Sequence, residues 1–397
     1  MDLSKGKNMK IGIFGGSFDP PHLEHYYLAK SAVDSLALDK LIVIPAHTPP
    51  HKRGKTLTDD STRFALCKLA FADLLKVEVS DYEMRKGGVS YTFETCEYFR
   101  SLYQDATLFW LVGTDMLRDF PTWRHPEKIL ENVTLAVCAR AETGDWLKKE
   151  REDFYRIFKK EFAVIGYDGK EVSSTQIRVL SAAEENVAPL VGERMANYIK
   201  EKGLYRVPFA KDGLALLKPE RKEHTFRVAE LAVKRAPSLG IDERVAITAS
   251  LFHDCAKYLD ENHEYLKDFE VDQCVPAPVI HQFTGAYIAE KFFGVQDRDV
   301  LNAIRYHTSG RAGMSVLERL IFLADMLEPD RDFKGVDELR TLFWKKDDDL
   351  NLCMEEALKL NLAYLNKKNA PVYALTADAL NYFKEKNQKE KKYGNHE

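Results

Sequence analysis

Along residues 1–207, short apolar runs alternate with longer stretches of helical period. Residues 10–14, 40–45, 77–80, 107–112, 133–138 and 162–165 are the runs, several apolar throughout, as parallel strands covered on both faces should be. Between them, residues 22–35, 62–75, 91–103, 174–180 and 189–200 space their apolar positions for one helical face. Strand and helix in alternation predict an α/β doubly wound parallel sheet, which binds ligands at the carboxyl ends of its strands. Past residue 207 the strand period disappears. Residues 208–218 read as a linker, and 223–234, 242–259, 277–293, 297–307, 315–327 and 350–365 predict a second, all-α domain over 219–397, with Pro237, Gly240, Gly294 and Gly310 as breakers. The tail from Lys384 carries five lysines and three glutamates and reads as solvated.

Composition narrows the class. The chain has 397 residues, enough for two or three domains, and 45% hydrophobic against 30% charged residues excludes a disordered or fibrous chain. A net charge of −4 provides no global field for nucleic acid or an anionic membrane, so any basic site must be local. No apolar run reaches the roughly 20 residues of a membrane span, and the first ten residues do not read as a signal peptide. Six cysteines without C-x-x-C spacing (Cys67, Cys96, Cys138, Cys255, Cys274 and Cys353) suit reduced thiols and a cytoplasmic setting.

Two constellations carry chemistry. At the end of the first strand stands Gly15-Gly16-Ser17-Phe18-Asp19-Pro20-Pro21-His22-Leu23-Glu24-His25. Glycines there let backbone approach a ligand closely, and His22 and His25, three apart, share a face beside the positive end of a helix dipole. That makes a phosphate site. The P-loop and dinucleotide-binding fingerprints do not apply, and the bare pattern is equally met by a strand–turn–helix with two surface histidines.

These residues resemble the GGxFDPxHxGH signature of the nucleotidyltransferase superfamily, and more closely that of bacterial nicotinate-nucleotide adenylyltransferases. The resemblance continues through Pro49-Pro50-His51-Lys52, Arg63, Ser90-Tyr91-Thr92, Gly113-Thr114-Asp115, Trp123, Arg140 and Val172-Ser173-Ser174-Thr175-Gln176-Ile177-Arg178. It implies in-line transfer of AMP from ATP to the phosphate of nicotinate mononucleotide, with release of pyrophosphate and Mg²⁺ riding on the triphosphate. Carried over residue by residue, Gly15, Gly16, Ser17, Phe18, His22, His25, Gly113, Asp115, Ser174, Thr175 and Arg178 would meet ATP, with His22 and His25 as the catalytic pair. Lys52, Thr92 and Trp123 would meet nicotinate mononucleotide, with Trp123 as the aromatic plane for its ring. One position departs: the family carries glycine where this chain has Glu24. A carboxylate there either faces the phosphates and repels them or, about 100° from each neighbour on the wheel, turns away.

The second constellation is His224, the pair His253-Asp254, His281, His307 and Asp325, spread over five predicted helices or helix ends. Imidazole and carboxylate together suit iron, manganese or zinc, and a His-Asp pair inside an apolar stretch needs partners, of which a metal is one. The order resembles that of dinuclear HD-domain phosphohydrolases. Arg221 to His224, His281 to Ala286, Arg305-Tyr306-His307-Thr308 and Ala324 to Pro329 with Arg331 look closer still to bacterial HD enzymes that split diadenosine tetraphosphate symmetrically. That likeness implies two divalent transition metals, iron foremost, with Asp254 shared between them, an activated water attacking a phosphoryl group, and two ADP as products. Lys257, Arg305 and Arg331 would neutralise the polyphosphate, with Asp254 and Lys257 in the catalytic role.

The sequence therefore predicts a bifunctional enzyme of small-molecule substrates, with a homo-oligomer left open. A transferase for another phosphate acceptor, and a helical domain that hydrolyses other nucleotides or only senses them, remain as alternatives.

Overall fold

Continuous apolar runs without alternation can be satisfied only in the interior of a sheet, and that is where they lie in the computed structural model, which describes residues 8–50, 57–139, 144–270, 274–345 and 350–393. Six strands, β1 (Lys10–Gly16), β2 (Lys40–Pro45), β3 (Val77–Val79), β4 (Thr107–Gly113), β5 (Thr134–Ala139) and β6 (Ala163–Gly166), pair in parallel in the order β3-β2-β1-β4-β5-β6. The order reverses between β1 and β4, so the crevice beyond their carboxyl ends is the expected ligand position. Close packing requires Gly15, because a Cβ there would lie 2.7 Å from the Trp110 ring of β4.

The described chain divides into two compact units, one comprising residues up to Ile177 with Val187–Tyr198, the other Arg178–Asn186 and the residues from Ile199 onward. The division passes through the helix Ser174–Ala182. The expected linker is accordingly corrected: residues 208–218 include the helix Ala210–Ala215, and Val207, Ala210 and Leu214 are buried in the core of the second unit. Apolar side chains on both sides of that segment draw it into the helical core and leave no free tether.

The second unit is built from helices whose starts are written in their caps. Asp242 accepts from the Arg244 amide to open Glu243–Phe252, Asp297 accepts from the Asp299 amide to open Arg298–Tyr306, and Ser315 with Glu318 forms a capping box on Val316–Leu327. With Pro219–Arg235, Ile280–Lys291 and Asn351–Lys367 they enclose one apolar core. The helix expected over 242–259 ends at Phe252, which places His253 and Asp254 in the turn that follows. The tail from Lys384 continues a helix, exposed or half-exposed over 384–390 except at Asn387. Helix Ala374–Tyr393 buries Phe383 and Asn387, and Asn387 Nδ2 donates to Asn351 O (3.2 Å) and Glu355 Oε2 (2.6 Å).

Candidate functional site

In the first unit, a cavity of about 360 Å³ opens at the carboxyl ends of β1 and β4. It brings together Gly15, Gly16, Ser17, His25, Gly113, Thr92 and Trp123 of the expected site residues. His22 caps the helix Leu23–Ser35, its ring stacked 3.7 Å from that of His25, and its own amide donates to His25 Nδ1 at 3.1 Å. Burial pushes the His22 imidazole down to about 4, so the ring is neutral, and its Nδ1 is buried without a hydrogen-bond partner among the described residues. A neutral ring with an unanswered polar atom at a helix N-terminus is suited to an arriving phosphate.

Other expected residues lie differently. The Phe18 ring is almost wholly buried, edge-on to Phe14 and His25, so this side chain supports His25 from the core and does not face a nucleotide. The Asp115 carboxylate folds back on Gly113, where a Cβ would stand 2.5 Å from its Oδ1. Ser174 Oγ donates to Pro20 O at 2.9 Å, joining the start of its helix to the loop after β1. Thr175 occupies the first turn of the same helix and is absent from the cavity wall. Arg178 is the clearest departure: its guanidinium is buried and donates to Glu243 Oε2 at 2.8 Å within the helical unit, committed to an ion pair in place of a phosphate. Lys52, with His51 and Arg140, lies outside the described residues.

Of three further features, Glu83 has no signal in the sequence, Arg63 only a place in the resemblance, and Glu24 two open orientations. Glu83 lines the cavity; burial pushes its carboxyl up, against the lowering effect of hydrogen bonds from Thr95 and Ser90. Arg63, fully buried, donates to the carbonyls of Thr58, Ser17 and Ala46 and to Asp60, stapling the loops after β1 and β2. Glu24 points away from the histidines: its Oε2 accepts from the Tyr167 hydroxyl and from the Lys170 amide at 2.9 Å. Gly169 makes room, since a Cβ there would collide with both Glu24 and Tyr167. Apart from the bonds of Arg63 to Thr58 and Asp60, these contacts join separate segments of the chain and leave no periodic signature.

In the second unit the predicted ligands do converge. His224, His253 and Asp325 form one group, and His253, Asp254 and His307 another, each with donor atoms within 4.8 Å of one another. His281 Nε2 lies 3.2 Å from both Asp254 Oδ1 and His307 Nε2. The outward ring nitrogens are fixed: Nδ1 of His224 pairs with Glu328 Oε1 (3.0 Å), of His253 with Ser250 O (2.6 Å) and of His307 with Ile304 O (2.8 Å). Donation from Nδ1 leaves each Nε2 lone pair facing the centre. His224 Nε2, His253 Nε2 and Asp254 Oδ1 are buried with only other atoms of the cluster against them, Asp325 Oδ1 at 2.9 Å, Asp254 Oδ2 at 3.2 Å and the Nε2 atoms of His281 and His307 at 3.2 and 3.3 Å, a crowding of lone pairs that a metal ion relieves. Burial opposes ionisation of Asp254, yet His253, with His281 and His307 beside it, holds its carboxyl well below the usual range. Asp325 is held low likewise, its burial overcome by His224 and His253. The donor set and its electrostatics fit divalent metal ions.

The basic residues divide. Lys257 Nζ donates to His281 Nε2 at 2.9 Å and lies 3.6 Å from Asp254, and burial lowers its ammonium. Arg331 donates to Asp325 Oδ1 at 2.8 Å, and Arg221, without an assigned role from sequence, pairs with Asp254 and lies 3.6 Å from Asp325. Arg305 instead lines a separate aromatic cavity.

A cytidylyltransferase-like family profile matches residues 13–180, and an HD domain profile matches residues 221–330. The chain thus joins a nucleotidyltransferase domain to an HD domain. The Clostridium tetani "Probable nicotinate-nucleotide adenylyltransferase" is 37% identical over 198 residues, 50% of this chain and 99% of its own length. Through this first half, the chain belongs to the nicotinate-nucleotide adenylyltransferase family. Similarity extends further in the Mycoplasma genitalium "Probable nicotinate-nucleotide adenylyltransferase/Ap4A hydrolase", which is 29% identical over 81% of this chain and 88% of its own. A solved Clostridium acetobutylicum structure, described as a predicted HD superfamily hydrolase involved in NAD metabolism, is 34% identical over 45% of this chain and 96% of its own, with a TM-score of 0.40. No helix among the described residues is long and apolar enough to cross a membrane.

Proposed function

We propose that the chain is a bifunctional enzyme acting in the cytoplasm: it transfers AMP from ATP to nicotinate mononucleotide, giving nicotinate adenine dinucleotide and pyrophosphate, and it hydrolyses diadenosine tetraphosphate to two ADP. The observation that carries this reading is the convergence, within each unit, of the side chains its chemistry needs.

In the transferase the acceptor phosphate attacks the α-phosphate of ATP in line, so the protein's part is positioning and charge neutralisation. Gly15 and Gly16 admit the phosphates close to backbone, while His22 and His25 supply donors at the dipole end of Leu23–Ser35. Thr92 and Trp123 line the same cavity, and a hydroxyl and an aromatic plane suit a carboxylated pyridine. Mg²⁺ would accompany ATP.

In the hydrolase, His224, His253, His281, His307, Asp254 and Asp325 would hold two divalent ions, iron best suited and manganese or zinc next, which supply Lewis-acid activation of water and of a phosphoryl oxygen. Asp254 lies between the two histidine groups, and Lys257, Arg221 and Arg331 set positive charge beside it for a polyphosphate. Both reactions should be assayed on wild type, His22→Ala and Asp254→Ala. Each substitution is expected to abolish one activity and spare the other. A wild type that adenylylates only another acceptor overturns the first assignment; absence of bound metal together with absence of ADP formation overturns the second.

A further inference from the structure

Arg305, expected beside the polyphosphate, opens instead into a cavity of about 320 Å³ whose walls are Phe269, Phe283, Tyr287 and Tyr373, with Glu270 and Glu290 among the lining. A second cavity of about 580 Å³ shares Phe269 and Ile280 with it and reaches Lys257 and His281 at the metal centre. Both volumes fall in the range of roughly 300–1,000 Å³ that small-molecule sites occupy. The two are adjoining compartments, one polar and touching the metal ligands, the other aromatic and set further along the same helix.

Helix Ile280–Lys291 explains the division of labour. Phe283, Tyr287 and Glu290 stand at i, i+4 and i+7 on one face, whereas His281, two residues before Phe283, projects about 200° away toward the metal ligands. Phe269 and Tyr287 pack with centroids 5.1 Å apart, and Phe283 meets Tyr373 edge-on at 6.2 Å. None of these four rings is fully buried, so each leaves surface to the cavity. Aromatic faces stack on any base, but carboxylates select among them: adenine presents an exocyclic amino donor that a glutamate accepts, whereas uracil and thymine present a carbonyl oxygen at the same edge. Arg305 shares this lining with the rings and the two glutamates, which suits it to the charged part of a bound nucleotide more than to the hydrolytic centre.

We propose that this aromatic cavity binds an adenine base of the dinucleoside polyphosphate, with Phe283 and Tyr287 as the stacking platform and Glu290 as acceptor for the exocyclic amine, while the polyphosphate runs through the adjoining cavity to the metal centre. The inference rests on the hydrolase reading above and adds to it the means of base selection.

The test uses the full chain and two readouts. In the first, wild type, Tyr287→Ala, Phe283→Ala and Glu290→Gln hydrolyse diadenosine and diuridine tetraphosphate. The expected result is a rise in KM for the adenine substrate of about tenfold in the alanine variants, and a preference for adenine over uracil that shrinks several-fold in Glu290→Gln, with metal content and unfolding temperature unchanged. Unchanged KM and unchanged preference in folded variants overturn the proposal. In the second, calorimetry titrates ADP and inorganic tripolyphosphate into the same proteins, a readout that stands even if wild type hydrolyses neither substrate and the hydrolase reading itself fails. Weakened ADP binding with unchanged tripolyphosphate binding supports the base site; equal weakening of both, or of neither, overturns it.

Discussion

Glu24 and Tyr167 are joined: the carboxylate at the start of the helix Leu23–Ser35 takes the tyrosine hydroxyl from the loop after β6, and the Lys170 amide with it. Burial, and then the neighbouring Glu24, raise the Tyr167 phenol, so it stays a donor. The negative charge is therefore spent on ordering the segment that leads into Ser174, not turned toward the phosphates. Replacing Glu24 with glycine, or Tyr167 with phenylalanine, should raise KM for ATP roughly three- to tenfold with kcat within about twofold, as loss of one charge-assisted hydrogen bond implies. Steady-state kinetics decide this; a faster enzyme with lower KM would mean that Glu24 repels the substrate after all.

Arg63 has no solvent to retreat to. Removing its guanidinium would orphan the carbonyls of Ser17, Ala46 and Thr58, while Asp60 keeps His47, so Arg63→Ala should cost about 3–5 kcal/mol of stability in the first unit, at roughly 1–3 kcal/mol per buried acceptor left unpaired. A lysine cannot span the same fan of acceptors and should not rescue it. Thermal unfolding followed at the first unit's tryptophans measures the loss, and a drop no greater than that of an ordinary surface substitution would contradict the stapling role.

For His22, the folded ring titrates near 4 and the unfolded one near 6.5. Between those values only the unfolded chain holds the proton. Stability attributable to His22 is thus complete above pH 6.5, erodes as the pH falls through this window, and is constant below it, a change of about 3 kcal/mol. His22→Gln should flatten this part of the profile. Hydrogen exchange of the β1 amides at pH 7, 5.5 and 4 provides the measurement, with parallel profiles as the contrary result.

Glu328 touches no proposed substrate but accepts from His224 Nδ1 and from Arg227 Nε. Its replacement by glutamine should lower metal affinity about 10- to 100-fold while leaving the other five ligand positions in place. Competition against a calibrated chelator reads this directly, and an affinity equal to wild type would show that the His224 tautomer is fixed by something else.

Much of the fold was legible because burial on both faces leaves a plain trace: β2, KLIVIP, could hardly be anything but an inner strand. The helix Gly144–Phe158 was missed although it has an apolar stripe: Trp146, Leu147, Phe154 and Phe158 pack on the core of the first unit, but they are diluted among eight charged residues. The convergence of the candidate ligands was readable since their chemistry is unusual in an apolar context, as with His253-Asp254. Arg178 misled for the opposite reason. A motif records which residue follows which, whereas the acceptor an arginine meets depends on packing 65 residues away, here Glu243. Glu83 gave no signal and Arg63 only its place in the resemblance, since what a buried charge does is identified by what surrounds it.

The space at Gly169 also sets how far a change there is felt. A methyl group added at 169 would press on the far ends of Glu24 and Tyr167 together. To admit it the clasp must open or shift, so a substitution in the loop after β6 reaches the first turn of the histidine helix, in a part of the chain 143 to 146 residues away.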